Sequence, residues 1–424
     1  MMKICIIGSG STYTPELIEG LINRKDEFPV REIALMDIDA RKRDIVGALA
    51  ERMLRHAGMD TVKVVFTADY KEALEGADFV FAQIRVGGLP ARILDEKIPL
   101  KHGLLGQETT GIGGFFKALR TIPVLMKICE HMKELCPNAW MINFSNPSGI
   151  CAEALLKHTD VKMLGLCNAP LGMMRNPIKA LGMSVADVDY VGLNHLSFIT
   201  SIRHNKRDYL QEAINGNAAL LAKLDGQMNF DKNVIKTVGG IPSYYLQNFL
   251  FLESTLQKQK TAEKTRGEIC VGIEEELLSL YTDENLKVKP EQLSQRGGAM
   301  YSEAAVSLAE SIYTDNDGIH VINTFNNGAI PYLEDDDVVE TCAAVGAQGA
   351  KTVPVTEPGG EYIQNIIRTV KAYERLTVKA AIEGSREVAL RALLINPLTG
   401  DYETASACFN EMLVAHKDYL PQFV

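Results

Sequence analysis

Two residues in the middle of the chain have side chains suited to metal binding. Cys167 follows the apolar run of "KMLGLCNAP", and His195 lies in "VGLNHLSF". A thiolate and an imidazole brought together from two strand ends could hold a divalent metal and leave positions open for substrate oxygens. Each residue could instead have an ordinary structural role. Cys167 could fill space in the apolar core, and His195 could be a core histidine whose hydrogen bonds are all made within the protein. Their separation in sequence leaves both interpretations open.

Other candidate residues lie in stretches broken by glycine or proline, where loops often carry chemistry. In "GGIPSYYLQNF", Tyr244 or Tyr245 could act as a base if a metal or an arginine lowered its pKa, although tyrosines more often pack against apolar neighbours. In "NFSNPSG", Asn146 could offer its amide to a sugar hydroxyl or to its own backbone. Glu108 is a candidate carboxylate, and the acidic run 335–337 is typical of a solvated loop or helix start.

The stretch "CIIGSGSTYTPEL", residues 5–17, reads as a strand, a glycine-rich turn and a helix. Gly8 and Gly10 fit the first two glycines of the dinucleotide-binding fingerprint, one for the tight turn and one for close approach to a pyrophosphate. Tyr13 stands where the third glycine belongs, so the motif is incomplete. A strand-ending turn without a ligand is the alternative.

An acidic residue supports the dinucleotide interpretation. Asp37 closes the second predicted strand, where a carboxylate would accept hydrogen bonds from an adenosine ribose and favour NAD over NADP. Ser11 and Thr12 could add hydroxyl groups at the start of the helix, whose N–H groups and dipole favour an anion. Asp37 could instead be a turn residue or a helix cap. Together these features predict nicotinamide-dinucleotide binding through Gly8, Gly10 and these three residues.

The elements that must position these residues alternate in the first part of the chain. Apolar, branched and aromatic runs predict buried parallel strands at 3–8, 32–37, 62–66, 78–84 and 139–144. Segments with apolar residues three and four apart lie between several of these runs and predict helices. This alternation predicts an α/β fold with a Rossmann-like, doubly wound parallel sheet in a domain of residues 1–166.

Residues 167–424 show a different pattern and predict a mixed α/β domain with catalytic and oligomerisation roles. "VDYVGLNHLSFITSIR" predicts a strand or hairpin, whereas 296–313 and 363–395 predict helices. The intervening stretch 318–341 predicts turns and another strand. The whole chain is expected to be similar to lactate and malate dehydrogenases in architecture.

Composition excludes several classes of function. The chain has 424 residues and a net charge of −10, with no basic run that could follow a phosphate backbone, so nucleic acid is not expected as a partner. No apolar stretch approaches the ~20 residues that span a bilayer, so no membrane partner is expected. The eight cysteines follow neither a zinc-module nor a disulfide-dense spacing, which predicts a cytoplasmic protein.

Six segments, taken together in their order along the chain, indicate a protein family more specifically than any one of them does alone. "GSGSTYTPELI", "IRVGGLPARILDEKIPLKHGLLGQETTGIGG", "NFSNPSGI", "GLCNAP", "GLNHLSF" and "IPSYYLQNF" resemble the NAD- and metal-dependent glycosidases of glycoside hydrolase family four. Within that family the sequence is most similar to the 6-phospho-β-glucosidases. The resemblance runs from residue 3 to the C-terminal helices and is densest between 80 and 250.

The resemblance implies roles for individual residues. Cys167 and His195 match metal ligands, and Tyr245 matches the catalytic base, with the adjacent Tyr244 as the alternative. The positions that match substrate-binding residues are Arg92, Asn146, Asn168 and Arg266. Asparagine at 168, directly after the metal-binding cysteine, favours a β-linked substrate. The arginines available for a 6-phosphate are Arg85, Arg92, Arg266 and Arg296.

The implied reaction is hydrolysis of a phosphorylated disaccharide or aryl glucoside to glucose 6-phosphate. It proceeds by NAD-dependent oxidation at C3, deprotonation at C2, elimination and water addition, outside the usual two-carboxylate scheme. Family resemblance implies Mn²⁺, although a thiolate by itself prefers softer metals such as zinc. A homodimer or homotetramer is also implied. The alternatives are a 6-phospho-α-glucosidase or another glycosidase of the family, an NAD-dependent 2-hydroxy-acid dehydrogenase, and a nucleotide-binding module without catalysis.

Overall fold

A six-stranded parallel sheet forms the framework of the computed structural model, which describes residues 2–296 and 301–423. The strands are β1 (Met2–Ile7), β2 (Val30–Met36), β3 (Lys63–Thr67), β4 (Phe79–Ala82), β5 (Trp140–Asn143) and β6 (Lys162–Gly165). Their order is β3-β2-β1-β4-β5-β6, with all neighbours parallel. This is the Rossmann order, and it confirms the predicted doubly wound sheet.

Helices cover both faces of this sheet. The first six are α1 (Thr14–Asn23), α2 (Ala40–His56), α3 (Tyr70–Leu74), α4 (Gly88–Lys101), α5 (Gly111–Leu135) and α6 (Ser148–His158). Along β1, Ile4 and Ile6 belong to one hydrophobic cluster, whereas Cys5 and Ile7 belong to the other. Because successive strand residues point to opposite faces, a strand covered on both faces has an unbroken apolar sequence.

The later strands extend this sheet and form a second one. They are β7 (Asp187–Leu193), β8 (Leu196–His204), β9 (Arg207–Asp208), β10 (Ile241–Pro242), β11 (Gly318–Phe325), β12 (Val338–Gly346) and β13 (Gly349–Thr352). Strands β11, β12 and β13 continue the first sheet beyond β6 in antiparallel order, and β10, β8 and β7 form the second, with β9 paired to β8. The predicted hairpin is confirmed as β7 and β8.

The remaining helices pack around the two sheets. They are α7 (Ala169–Ala180), α8 (Tyr209–Ile214), α9 (Ala218–Lys223), α10 (Lys232–Val238), α11 (Gln247–Leu250), α12 (Leu252–Thr261), α13 (Arg266–Tyr281), α14 (Tyr301–Thr314), α15 (Glu361–Glu383), α16 (Arg386–Ile395) and α17 (Tyr402–Ala415). Among the described residues, no helix is both long enough and apolar enough to cross a bilayer.

The structure differs from the sequence prediction in two details. The helical stretch 363–395 is divided into α15 and α16 at Gly384, which has a φ of +64°. The acidic run is a loop as expected, but Asp337 is fully buried and bonded to Arg375 in α15, so only Asp335 and Asp336 are exposed. Of the helix predicted at 296–313, residues 297–300 lie outside the described part of the chain.

Candidate active site

The candidate residues lie beyond the carboxyl ends of the parallel strands. The glycine turn follows β1, Arg85 follows β4, Asn146 follows β5 and Cys167 follows β6. Because these four strands are consecutive neighbours in the sheet, their ends open toward one edge. Open parallel sheets bind their ligands in the crevice at this edge.

The glycine turn is shaped by close backbone approach. Gly8 has a φ of +86°, and a Cβ there would lie 2.8 Å from the carbonyl oxygen of Gln83. The backbone N–H of Gly10 donates to Asp37 Oδ2 over 2.8 Å, and a Cβ on Gly10 would lie 2.9 Å from the same oxygen. The structure therefore brings Gly8, Gly10 and Asp37 together. At both turn positions the neighbouring atoms leave room for glycine only.

The hydroxyl groups of the turn differ in their contacts. Ser11 Oγ accepts the backbone N–H of Tyr13, and Thr12 is fully buried. Ser9 Oγ is buried and has no hydrogen-bond partner among the described residues. No side chain caps the start of α1. A free buried hydroxyl beside an uncapped helix start fits the pyrophosphate of a dinucleotide.

Cys167 and His195 meet in space, with 3.8 Å between Sγ and Nε2. His195 occupies the two-residue loop between β7 and β8, at a φ of +67° that turns it back toward β6. The preceding residue, Asn194, hydrogen-bonds Cys167 and donates from Nδ2 to Glu340 Oε1 over 2.9 Å. The hairpin therefore carries a candidate metal ligand and a residue that holds the other ligand.

Burial sets the protonation of both ligands in the metal-free protein. It lowers the pKa of His195 to about 3, with help from Lys117, and the neutral imidazole is the form that binds metals. Burial and Glu340 raise the pKa of Cys167 to about 12, whereas a bound cation favours the thiolate. Among the described residues, no group of three or more His, Cys, Asp and Glu could hold a metal. The pair therefore fits an open site that substrate oxygens complete.

Two tyrosines stack outward from the histidine. The Tyr245 ring lies 3.6 Å from the His195 ring at 20°, and the Tyr244 ring lies 4.1 Å from Tyr245 at 29°. Tyr244 is 40% exposed. Burial raises the pKa of Tyr245 well above its usual value, and Tyr244 raises it further. Of the two tyrosines, the structure places Tyr245 against the candidate metal ligand.

Arg92 on α4 is held by two carboxylates. Its Nε donates to Glu96 Oε1 over 2.9 Å, and Nη1 lies 2.9 Å from Glu108 Oε1. Glu108 also contacts Arg85, and it accepts from Lys117 Nζ over 2.7 Å. Burial opposes ionisation, but these three cations hold the pKa of Glu108 well below its usual range. The carboxylate therefore organises a mostly cationic cluster next to the sheet edge.

The remaining predicted substrate residues have distinct surroundings. Arg266 begins α13, and the neighbouring Gly267 N–H donates to Glu96 Oε2 over 2.6 Å, which joins this helix start to Arg92. Asn146 Nδ2 donates to the Phe144 carbonyl, whereas its buried Oδ1 has no partner among the described residues. Asn168 is the residue before α7 and does not cap it. The side chain of Arg296 lies outside the described part.

The residues of this site that were absent from the sequence prediction include Asn194, Lys117 and Glu340, besides Glu96 and Ser9. Asn194 directly precedes His195, so its place in the two-residue loop was a usable signal. Lys117 lies within an apolar helix, where a buried cation indicates a partner. Glu340 lies on β12, far from Asn194 in sequence, and no local pattern marks it.

The sequence is similar to a known protein family and to several full-length proteins. The family model "Family 4 glycosyl hydrolase" matches residues 3–183, and the model of its C-terminal domain matches 190–399. A "Probable 6-phospho-beta-glucosidase" of Bacillus subtilis (strain 168) is 43% identical, over 100% of this chain and 98% of the relative. A 6-phospho-beta-glucosidase of Escherichia coli (strain K12) is 39% identical, over 100% and 97%.

Solved structures agree with the sequence comparison. The 6-phospho-beta glucosidase from Thermotoga maritima, solved with NAD and glucose-6-phosphate, has a TM-score of 0.90 and 36% identity over 99% of each chain. A second structure of that enzyme also contains manganese. Malate dehydrogenase from Plasmodium falciparum, at a TM-score of 0.51 over 90% of this chain and 99% of its own, is 14% identical and confirms only the predicted dehydrogenase-like fold. Because the family models and full-length relatives cover nearly the whole sequence, this chain belongs to family 4 of the glycosyl hydrolases and is a glycoside hydrolase.

Proposed function

We propose that the chain is a 6-phospho-β-glucosidase that releases glucose 6-phosphate and uses NAD and Mn²⁺. The observation that carries this proposal is the meeting of Cys167, His195 and Tyr245 at the sheet edge that also holds the glycine turn. The full-length relatives named above support the substrate class, and the Thermotoga maritima structures support both cofactors.

The residues that would hold the cofactors are those of the glycine turn and the cysteine–histidine pair. Gly8, Gly10, Ser11, Thr12 and Asp37 would bind NAD, as the close turn and the nearby carboxylate support. Cys167 and His195 would bind the metal. When bound, NAD supplies reversible oxidation at C3 of the sugar, and Mn²⁺ supplies Lewis acidity at its hydroxyl oxygens.

The remaining side chains bind the sugar and move a proton. Tyr245 would take the proton from C2 as a general base, a role that requires the cations of the loaded site to lower the pKa that burial raises. The free Asn146 Oδ1 accepts from a sugar hydroxyl, and Asn168 donates its amide beside the glycosidic bond. Arg92, already oriented by Glu96 and Glu108, binds the 6-phosphate together with Arg266.

The decisive experiment measures nitrophenol release from 4-nitrophenyl 6-phospho-β-D-glucoside by protein stripped of bound cofactor. We expect release only when NAD⁺ and Mn²⁺ are both added, without NADH accumulating. Release without NAD⁺ would contradict the mechanism, and hydrolysis of the α-anomer alone would favour the 6-phospho-α-glucosidase alternative. NADH accumulation with a 2-hydroxy acid would favour the dehydrogenase alternative.

A matched pair of variants tests the metal ligand in the same assay. Cys167→Ala is expected to abolish release and Mn²⁺ binding. Cys408→Ala removes a buried thiol on α17, away from the sheet edge, and is expected to retain both. Equal activity of the two variants would remove Cys167 from the metal site.

Three further properties belong to the same proposal. We propose that residues 1–166 mainly bind NAD, that residues 167–424 mainly supply catalysis and oligomer contacts, and that the enzyme is a homodimer or homotetramer. A cytoplasmic location is proposed because all eight cysteines are free, as in proteins of a reducing compartment. Sedimentation velocity measures the oligomeric state.

A further inference from the structure

A small, partly open cavity borders the candidate metal histidine. It measures about 20 Å³, and its walls include His195, Thr110, Asn194, Glu374 and Asn396. A cavity needs roughly 10–15 Å³ and two to four polar partners to hold one water molecule. Although apolar side chains such as Ile150 and Phe249 also line this cavity, its size and its polar groups fit one water.

His195 has an unused polar atom at this place. Its Nε2 is the ring nitrogen near Cys167, whereas Nδ1 is buried and has no hydrogen-bond partner among the described residues. Histidines that bind metals usually donate their second ring N–H to a carboxylate, a carbonyl or a water. Because His195 also lines the cavity, a water held there could supply the partner that Nδ1 lacks.

The carboxylate on the cavity wall belongs to Glu374, on α15. Glu374 is 4% exposed, and its Oε2 lies 2.5 Å from Lys371 Nζ. The same ammonium also lies 2.5 Å from Glu153 Oε2. Because one lysine serves two buried carboxylates, Glu374 retains capacity to accept another hydrogen bond.

We propose that Glu374 orients His195 through a water molecule held in this cavity. The water accepts the Nδ1–H of His195 and donates to the Glu374 carboxylate. This arrangement fixes the tautomer whose Nε2 lone pair faces Cys167 and the metal. The inference rests on the proposed function, because it requires Cys167 and His195 to be the metal ligands, and Glu374 is then a positioning residue.

Two isosteric variants separate this role from general stability. Glu374→Gln removes the charge on the cavity wall, and Glu153→Gln removes the other carboxylate on Lys371, which is not part of the wall. In both variants Lys371 keeps one carboxylate partner, so neither leaves an unpaired buried charge. Both are therefore expected to fold, with similar changes in melting temperature.

The first readout is Mn²⁺ affinity, measured by electron paramagnetic resonance of free Mn²⁺ in the presence of NAD⁺ and glucose 6-phosphate. We expect Glu374→Gln to weaken binding by roughly 10–100-fold. Glu153→Gln is expected to bind as the wild type does. Equal affinity of Glu374→Gln and wild type, or equal losses in both variants, would overturn the proposal. A wild type that binds no Mn²⁺ would instead overturn the proposed metal site and the inference that rests on it.

The second readout needs no metal. The ¹⁵N shifts of the His195 ring, assigned with His195→Gln, report which nitrogen carries the proton. We expect Nδ1–H in the wild type and in Glu153→Gln, and a shift toward Nε2–H in Glu374→Gln. A wild-type ring with Nδ1 unprotonated would overturn the proposal, whatever the Mn²⁺ titration shows.

Discussion

At the scale of single residues, the site divides into paired charges and unpaired neutral polar atoms. Arg92 and Glu108 are held by ion pairs. Asn146 Oδ1 and Ser9 Oγ are buried without a partner among the described residues. Buried polar atoms are costly unless something satisfies them, so these atoms indicate where ligands bind. The charged groups act instead as a fixed framework.

The stacked tyrosines give the sharpest test at this scale. Tyr245→Phe removes the hydroxyl of the proposed base and is expected to lower kcat by roughly 10²–10⁴-fold. Tyr244→Phe keeps the outer ring of the stack and is expected to retain most activity. Steady-state kinetics with 4-nitrophenyl 6-phospho-β-D-glucoside measures both. A greater loss in Tyr244→Phe would transfer the base role to that residue.

Residue types could be predicted from the sequence more readily than their partners. Cys167, His195 and the tyrosines were identifiable because their side chains suit metal binding and proton transfer. The contact of Asn194 with Glu340 joins β12 to the β7–β8 hairpin, and that pairing depends on packing of distant elements. Lys117 could not be placed on Glu108 from sequence for the same reason.

At the scale of secondary-structure elements, two strand ends position several of the proposed site residues. The β7–β8 hairpin carries Asn194 and His195, and β10 pairs with β8 just before the tyrosines. The hairpin was predictable because its apolar runs flank a short polar turn. Helix α4 was not predicted, since "GLPARILDEKIPLK" contains proline near both ends and its apolar residues form no clear stripe.

The glycine turn gives a test of cofactor binding. In Gly10→Ala the new Cβ would lie 2.9 Å from Asp37 Oδ2, so the carboxylate must move away from the proposed ribose site. We expect at least a tenfold weaker NAD⁺ affinity by calorimetry, which corresponds to about 1.4 kcal/mol. Gly272→Ala, in α13 with open space around it, is the control and should bind NAD⁺ normally. Unchanged affinity in Gly10→Ala would contradict the proposed NAD site.

Asp189 connects β7 to the segment after β13. It accepts from Arg203 Nη1 and Nη2 over 2.6 and 2.8 Å, and from the Glu357 N–H over 2.8 Å. We expect Asp189→Asn to lower the free energy of unfolding by about 2 kcal/mol at neutral pH. Denaturant titration measures the change, with Asp60→Asn at an exposed position before β3 as the control.

The stability that Asp189 contributes should decrease as the pH falls. Burial by itself would raise the pKa of Asp189. Hydrogen bonds from Arg203 and Thr356 outweigh burial and lower this pKa below its ordinary value of 3.8. When folding lowers the pKa of a carboxyl group, that group stabilises the folded state at pH values above its unfolded-state pKa. The stabilisation is lost as the pH falls through the folded-state pKa. The difference between wild type and Asp189→Asn should therefore shrink below pH 3.8. A constant difference would contradict the ion-pair explanation.

At the scale of the whole molecule, strands from residues 2–165 and from residues 318–352 share one nine-stranded sheet. The parallel half was predictable because each strand is a short apolar run followed by a helix. The antiparallel extension was not, since β11 meets β6 only through the pairing of Asn323 with Gly165. Pairing over such a sequence distance depends on which edge the packed helices leave open.

A buried ion pair fastens two long helices of the fold. Asp95 on α4 and Arg120 on α5 are both essentially inaccessible and form two hydrogen bonds. We expect Arg120→Met to lower the free energy of unfolding by about 3–5 kcal/mol, because the buried Asp95 carboxylate loses its arginine and is left beside His416 Nε2, 3.1 Å from Oδ1. The double variant Arg120→Met, Asp95→Leu should recover much of this loss. Equal instability of the single and double variants would contradict the unpaired-charge explanation.

The two outer strands of the large sheet are both short. Exposed strand edges can pair with other chains and seed aggregates. Here the edges are β3, only five residues long, and β13, only four. Each carries an exposed lysine, Lys63, which also pairs with Glu32, and Lys351, and such charges on an edge disfavour pairing with another strand. Nine strands can therefore lie in one sheet whose two edges are short and carry a lysine, the features that disfavour edge-to-edge pairing.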